Sequence, residues 1–364
     1  MIVFCHLLND NSGSPLVLRE CIRALSKNSD ENIIFVGSQG RGCLEKSGVP
    51  IKRYWYRRSR WRIITLVTFL LSQLFLYRAL SRAKLPKDAV IYVNTLLPFG
   101  AAVWAHLNNR RVVYHVHETS ISPAPLRNFL VAMVEKTALK AFYVSADHKS
   151  RMPIKDVPTV IIPNFVAEEI AAAASNSLYS PRRDGIFNVL MISSLRDFKG
   201  IPEFIKLAHS LSSRSDINFT LVLNAEAEEI ARYLPDDKWP RNVSVFPRTN
   251  TPSEFYSCSN VIVNLSRTDQ WIETFGLTLI EGMSFGLPAI GPPVGGPSEI
   301  ITHGHNGYLI DSQDHAALHE HILLLADDPE RTQKMSIAAR HVAEDFTQDR
   351  FSRALQYQLK ELTT

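Results

Sequence analysis

Short runs of apolar, often β-branched residues recur along the chain, separated by stretches whose apolar positions return every three or four residues. In the first half the runs cover 2–5, 33–36, 90–93, 112–116, 142–144 and 160–162. In the second half they cover 189–192, 219–223, 243–246, 261–265 and 289–290. Such runs suit strands buried on both faces of a parallel sheet. The intervening spacing suits helices. One is predicted over 17–25, and another follows 189–192 with Ile201, Phe204, Ile205, Ala208 and Leu211 on one face. Strands alternating with helices predict right-handed βαβ units and an α/β fold of two Rossmann-like domains. The division is placed at 167–185, where an alanine-rich run precedes Pro181-Arg182-Arg183-Asp184-Gly185, a composition suited to a linker. The domains are then 1–166 and 186–346.

Composition agrees with this division and narrows the function. A chain of 364 residues exceeds what one hydrophobic core usually serves. Its 45% hydrophobic content fills globular cores without suggesting a polytopic membrane protein. A formal charge of +4 is too mild to indicate nucleic acid, so no nucleic-acid partner is expected. Cys5, Cys21, Cys43 and Cys258 are scattered and form no C-x-x-C pair, as in a reduced, cytoplasmic protein. The N-terminal residues carry no basic leader or long apolar run, so no secretory signal is expected. Neither G-x-G-x-x-G nor a P-loop occurs, which argues against dinucleotide oxidoreductases and P-loop enzymes. No D-x-D tract occurs either, so no metal is expected to hold a nucleotide. His315, His319 and His321 lack nearby carboxylates or cysteines and are read as surface residues rather than a metal site.

Ligands of open parallel sheets bind beyond the carboxyl ends of the strands, so the loops there hold the candidate chemistry. The most informative is Trp271-Ile272-Glu273-Thr274-Phe275-Gly276-Leu277-Thr278-Leu279-Ile280-Glu281-Gly282-Met283, with seven residues between two glutamates. A helix is predicted to begin at 274–276. Its unpartnered first amides and dipole suit a diphosphate, and Gly276 leaves room for close approach. Thr274, Phe275, Gly276 and Leu277 are therefore candidate diphosphate contacts. Glu281 falls about two turns in, roughly 10 Å along the axis at 1.5 Å per residue. The two carboxylates are thus spaced to meet different hydroxyls of one extended ligand. Lys199, in the loop after 189–192, is placed to neutralise a diphosphate as a compact charge. Gly13 lies in the loop after the first strand. His117 lies at the carboxyl end of another strand and faces the same way as His115.

Taken together, Glu273 and Glu281, the following Gly286-Leu287-Pro288, and Leu195, Lys199 and Gly200 resemble retaining, nucleotide-sugar-dependent glycosyltransferases of family 4 (glycosyl transferases group 1). The resemblance extends to bacterial surface-polysaccharide and O-antigen enzymes. It implies the GT-B fold, with two Rossmann-like domains facing across a cleft and a C-terminal helix, 347–364, crossing back to the N-terminal domain. It also implies an acceptor on the N-terminal domain and a nucleoside-diphosphate sugar on the C-terminal one. Glu281 would hold the ribose, Glu273 the sugar hydroxyls, and His117 the sugar's other side. Arg248 would lie near the base. The chain departs from the family in Ser193 and Ser194, which replace Gly-Arg. Arg196 is the candidate replacement cation. Phe165 replaces glycine in Pro163-Asn164-Phe165-Val166, and Ser12 stands where a second glycine is common.

Residues 52–62 concentrate six cations and four aromatics beside the apolar run 63–76. At 14 residues that run is shorter than the ~20 needed to span a bilayer. The segment suits docking on an anionic membrane surface. The expectation is a peripheral enzyme of the inner membrane face transferring a sugar to a lipid-linked glycan, without cofactor or metal. A UDP-sugar epimerase of related fold and a non-catalytic membrane adaptor stand as alternatives.

Overall fold

Each of the apolar runs forms a strand, and all the named pairings are parallel. The computed structural model describes residues 1–26, 31–234 and 239–363. The first strands are β1 (Ile2–His6), β2 (Ile33–Gly37), β3 (Ile51–Tyr54), β4 (Val90–Asn94), β5 (Arg111–His115), β6 (Lys140–Tyr143) and β7 (Thr159–Ile161). They make one sheet in the order β3-β2-β1-β4-β5-β6-β7, with Val3 opposite Ile33 on one side and Ile91 on the other. The second set comprises β8 (Phe187–Ser193), β9 (Ile217–Leu223), β10 (Val243–Phe246), β11 (Val261–Val263), β12 (Ala289–Gly291) and β13 (Gly307–Leu309). Their order is β10-β9-β8-β11-β12-β13. Both sheets are doubly wound. The order of the strands reverses between β1 and β4 in the first and between β8 and β11 in the second, and the loops at such switch points are the ligand-binding position of this architecture.

The chain divides into two units, Met1–Pro163 with Phe351–Thr364, and Asn164–Arg350. Each has its own core. In the first, Val3, Phe35, Ile91, Val93 and Tyr114 are buried with Leu76 and Leu80. In the second, Val189, Phe204, Phe219, Leu221, Val261 and Ile290 play that part. The last helix, Gln348–Thr363, is held on the first unit. Its Phe351, Leu355 and Leu359 are buried, and Lys140 Nζ donates to Gln358 Oε1 at 2.6 Å and Glu361 Oε2 at 2.8 Å.

Three expectations change. Segment 167–185 is not a bare linker. Its alanine-rich part forms the helix Glu168–Ser175, with Glu168 and Glu169 in the first turn, as alanine's high helix propensity favours. Beyond it, Tyr179 Oη donates to Asn260 O and Arg182 to Ala326 O, tying the segment into the second unit. The helix after β1 begins at Gly13, earlier than 17, and runs to Ser26. The apolar run 63–76 belongs to a longer helix, Arg62–Arg82 of 21 residues, because Tyr77 to Arg82 continue it without a breaker. That is ~31 Å at 1.5 Å per residue. By length and composition it is long and apolar enough to cross a membrane. Here, however, Phe69, Ser72, Gln73, Leu76 and Leu80 are buried, and Gln73 Oε1 accepts from the amide of Gly100 in the neighbouring helix.

Candidate functional site

At the switch point of the second sheet, the loop after β8 meets the loop after β11. Lys199 ends a 3-10 turn, Asp197–Lys199, and its Nζ lies 2.5 Å from Glu273 Oε1. Ser266 Oγ donates to the same oxygen at 2.7 Å. The Lys199 ammonium also stands 4.7 Å from the Trp271 ring centre, and Trp271 stacks on Phe198. Burial alone would raise the pKa of Glu273. The charge of Lys199, with hydrogen bonds from Lys199, Ser266 and Asn264, outweighs burial and holds the carboxyl below its ordinary value. The Glu273 carboxylate therefore stays ionised at neutral pH, held against the Lys199 side chain.

Glycines let these loops approach closely. Gly200 has φ +88, and a Cβ there would lie 2.0 Å from Leu265 O, so the two loops approach as backbone on backbone. Gly296 shelters Glu273–Phe275 in the same way. Its amide donates to Glu273 O at 2.8 Å, and a Cβ would fall 2.2 Å from Phe275 Cα. The helix Leu277–Ser284 begins one residue beyond the expected 274–276, because Gly276 at φ +100 is its N-cap and not its first turn. Phe275 contributes backbone only, since its side chain is buried against the Phe346 ring. Thr274 and Leu277 are partly exposed on either side.

Glu281 lies within that helix and is separate from the lysine pair. Tyr256 Oη donates to its Oε2 at 2.6 Å, and burial pushes its carboxyl up to about 7 despite that bond. Two other candidates are not brought to the cluster. Arg196 is exposed, and its guanidinium donates to the adjacent Leu195 O at 2.9 Å. Arg196 is extended before the 3-10 turn that carries Lys199 inward, so the two cations do not converge. Arg248 stands beyond β10 and is engaged by Asn224 Oδ1 and Glu226 Oε1, both at 2.6 Å. Asn264, Ser266, Trp271 and Tyr256 were not expected. The only advance signal was a polar residue, Asn264, inside the run read as a buried strand.

At the switch point of the first sheet, Asn94 ends β4 and His117 follows β5. Their side chains meet, with His117 Nε2 3.0 Å from Asn94 Oδ1. The rings of His115 and His117 stand 4.3 Å apart. Burial, then the neighbouring imidazoles of His115, His148 and His6, holds the His117 pKa well below its usual value, so the ring is neutral. Gly13 opens the first helix, and a side chain there would meet open space. Among the described residues no group of three or more His, Cys, Asp or Glu is placed to hold a metal ion.

The helix Arg62–Arg82 leaves Ile63, Val67, Leu70, Leu71, Leu74 and Phe75 exposed. Trp55 packs on Phe75 at 5.4 Å, so the basic, aromatic segment and the apolar face are continuous.

The family described as "Glycosyl transferases group 1" matches residues 180–342, within the second unit. Full-length likeness in fold extends to the crystal structure of Anabaena Alr3699/HepE in complex with UDP and glucose. That chain is 18% identical with a TM-score of 0.78, covering 99% of both chains. Sucrose-phosphate synthase from Thermosynechococcus elongatus gives 16% identity and a TM-score of 0.76, covering 99% of this chain and 98% of that one. The fold is the GT-B fold of these structures, and the family match within the second unit marks the chain as a glycosyltransferase. In sequence, the chain is 25% identical to N-acetyl-alpha-D-glucosaminyl L-malate synthase of Bacillus anthracis over 281 residues. That match takes in 72% of this chain and 71% of the relative. It is 29% identical over 164 residues to an uncharacterized glycosyltransferase of Haemophilus influenzae, covering 43% of this chain and 44% of that one.

Proposed function

We propose that the chain is a retaining glycosyltransferase of family 4. It moves a hexose or deoxyhexose from a nucleoside diphosphate to a hydroxyl of a growing surface glycan. The observation that carries this reading is the Lys199–Glu273 pair at the switch point of the second sheet, 2.5 Å apart. A lone buried ion pair would be a poor device for stability. Beside the amides of Phe275 to Leu277, it is suited to a ligand that is anionic at one end and hydroxylated at the other. Lys199 and those amides meet the diphosphate, Glu273 the sugar hydroxyls and Glu281 the ribose. When the bond from the sugar's anomeric carbon to phosphate breaks, Lys199 stabilises the charge left on the departing oxygen. The acceptor hydroxyl attacks the same face, and its proton passes to that phosphate oxygen. No protein nucleophile and no metal is assigned. UDP and glucose in the Anabaena structure make uridine sugars the first donors to try.

The acceptor is proposed to be lipid-linked, as in O-antigen-like polysaccharide synthesis. The support is the exposed apolar face of Arg62–Arg82 beside the six cations of 52–62, a combination that suits an anionic membrane.

The test is release of nucleoside diphosphate from a panel of UDP-sugars with and without glycan acceptors. Lys199→Ala and Glu281→Ala should each lower turnover by ~10²–10³ while the proteins stay folded by circular dichroism. Turnover near wild type in either variant removes that residue's role. Isomerised sugar recovered without acceptor replaces transfer by epimerisation.

A further inference from the structure

We propose that Asn94 is a positioning residue that locks His117 in one tautomer, so that the ring accepts a hydrogen bond from a substrate hydroxyl through Nδ1. The inference rests on the reading of His117 as a sugar contact.

The argument is a chain of forced donors and acceptors. Ser14 O can only accept, and Asn94 Nδ2 lies 3.2 Å from it. The carboxamide nitrogen therefore faces the start of the first helix, and Oδ1 is the atom turned to His117 at 3.0 Å. An amide oxygen cannot donate, so His117 Nε2 carries the proton. The ring is neutral, held there by burial and by His115, His148 and His6. A neutral ring protonated on Nε2 has a bare Nδ1, which is an acceptor. His117 is partly exposed, while its neighbours His6, His115 and His148 are buried. Of the four imidazoles, it is the one open to a ligand.

The backbone here is also strained. Thr95, the next residue, has φ +70, a genuine outlier for a β-branched side chain. It is held there by its amide donating to His115 O at 2.8 Å. Glu118 clamps the same turn, accepting from Leu96 N at 3.0 Å and from His117 N at 3.2 Å. A strained turn secured from two sides sets the direction of the Asn94 side chain at the switch point, where a plain structural turn would need none of this. Asn94 thus links the first turn of the helix Gly13–Ser26 to the histidine.

The decisive measurement uses the full chain labelled with ¹⁵N in its histidines. The His117 ring signals are assigned by their loss in His117→Ala. In the wild type at neutral pH, Nε2 should show a bound proton and Nδ1 none. In Asn94→Ala the two tautomers should mix, and Asn94→Asp, which keeps an acceptor at the same atom, should retain Nε2–H. In turnover assays Asn94→Ala should lower kcat by roughly tenfold to hundredfold with KM little changed. In a His117→Ala background it should cost no further factor. An Nδ1–H ring in the wild type overturns the proposal, as does an equal cost of Asn94→Ala with and without His117. Wild-type turnover in His117→Ala would instead remove the sugar-contact reading, and the ring spectra would still decide whether Asn94 sets the tautomer. If Asn94→Ala does not fold, Asn94→Ser serves for both measurements.

Discussion

Glu281 and Glu273 share a chain segment and carry opposite shifts. Burial raises the Glu281 carboxyl to about 7, whereas Lys199 keeps Glu273 ionised. The consequence for stability follows from proton counting. In the unfolded chain Glu281 ionises near its ordinary value of 4.5. Between that pH and about 7 the folded state therefore holds more protons, and stability falls as pH rises through this window. Glu281→Gln, uncharged throughout, should gain in Tm over the wild type more at pH 8 than at pH 5. Each kcal/mol relieved is about 2–4 °C for a domain of this size. Equal offsets at the two pH values in scanning calorimetry would mean that Glu281 is ionised when folded. At this scale the sequence disclosed which residues carry charge near the site, but not their company. Lys199 and Glu273 were each legible from a strand-to-loop position, since loops after parallel strands face the ligand side. Their contact with each other, and those with Ser266 and Trp271, depend on two loops far apart in sequence meeting at a switch point. Arg196 stands apart from this pair for the complementary reason: proximity in sequence to Lys199 says nothing about which side of a 3-10 turn a side chain takes.

The loops stay in place because the elements approach at glycines. Gly296→Ala would drive a methyl into the Phe275 backbone, and the loop that must then yield is the one that carries Glu273. Overpacking of this kind costs about 1–3 kcal/mol, a few degrees in Tm. Donor affinity should fall with it, although no acidic or basic group is altered. Gly13→Ala is the contrast, because its methyl enters open space. Its Tm should match the wild type, and a loss of turnover without a loss of stability would show that substrate fills that space. If Gly296→Ala melts and binds like the wild type, the close approach of these loops is not what fixes Glu273. At the scale of elements the buried strands were legible, as were the edge strands β7 and β10, but the other two edges were not. β3 reads Ile-Lys-Arg-Tyr with Lys52 and Arg53 exposed, so an edge position hid it among the cations of the basic segment. β13 is three residues long and opens with Gly307, too short to show a period. The alanine-rich run before Pro181 was read by its flexible composition, yet alanine is the strongest helix former, and the helix Glu168–Ser175 won.

For the whole molecule, a charge of +4 is modest, but its distribution is not: six of the cations fall within 52–62. They adjoin the exposed row Ile63, Val67, Leu70, Leu74 and Phe75 on a helix whose opposite face, Phe69, Gln73 and Leu76, is packed into the first unit. A helix anchored on one side and apolar on the other is suited to lie in an interface. Its packed side argues against crossing the bilayer, despite a sufficient length. Vesicle co-sedimentation separates the two contributions. Binding should require anionic lipid and weaken steeply between low and high salt, because the attraction is screened. At ~1 kcal/mol per cation, Arg57→Ala, Arg58→Ala and Arg60→Ala together should reduce partitioning by about a hundredfold. Leu74→Ser, by removing apolar area alone, should weaken binding with its salt dependence unchanged. Equal partitioning to neutral and anionic vesicles would leave the basic segment as a solvated loop. The sugar acceptor would then be sought among soluble hydroxyl compounds.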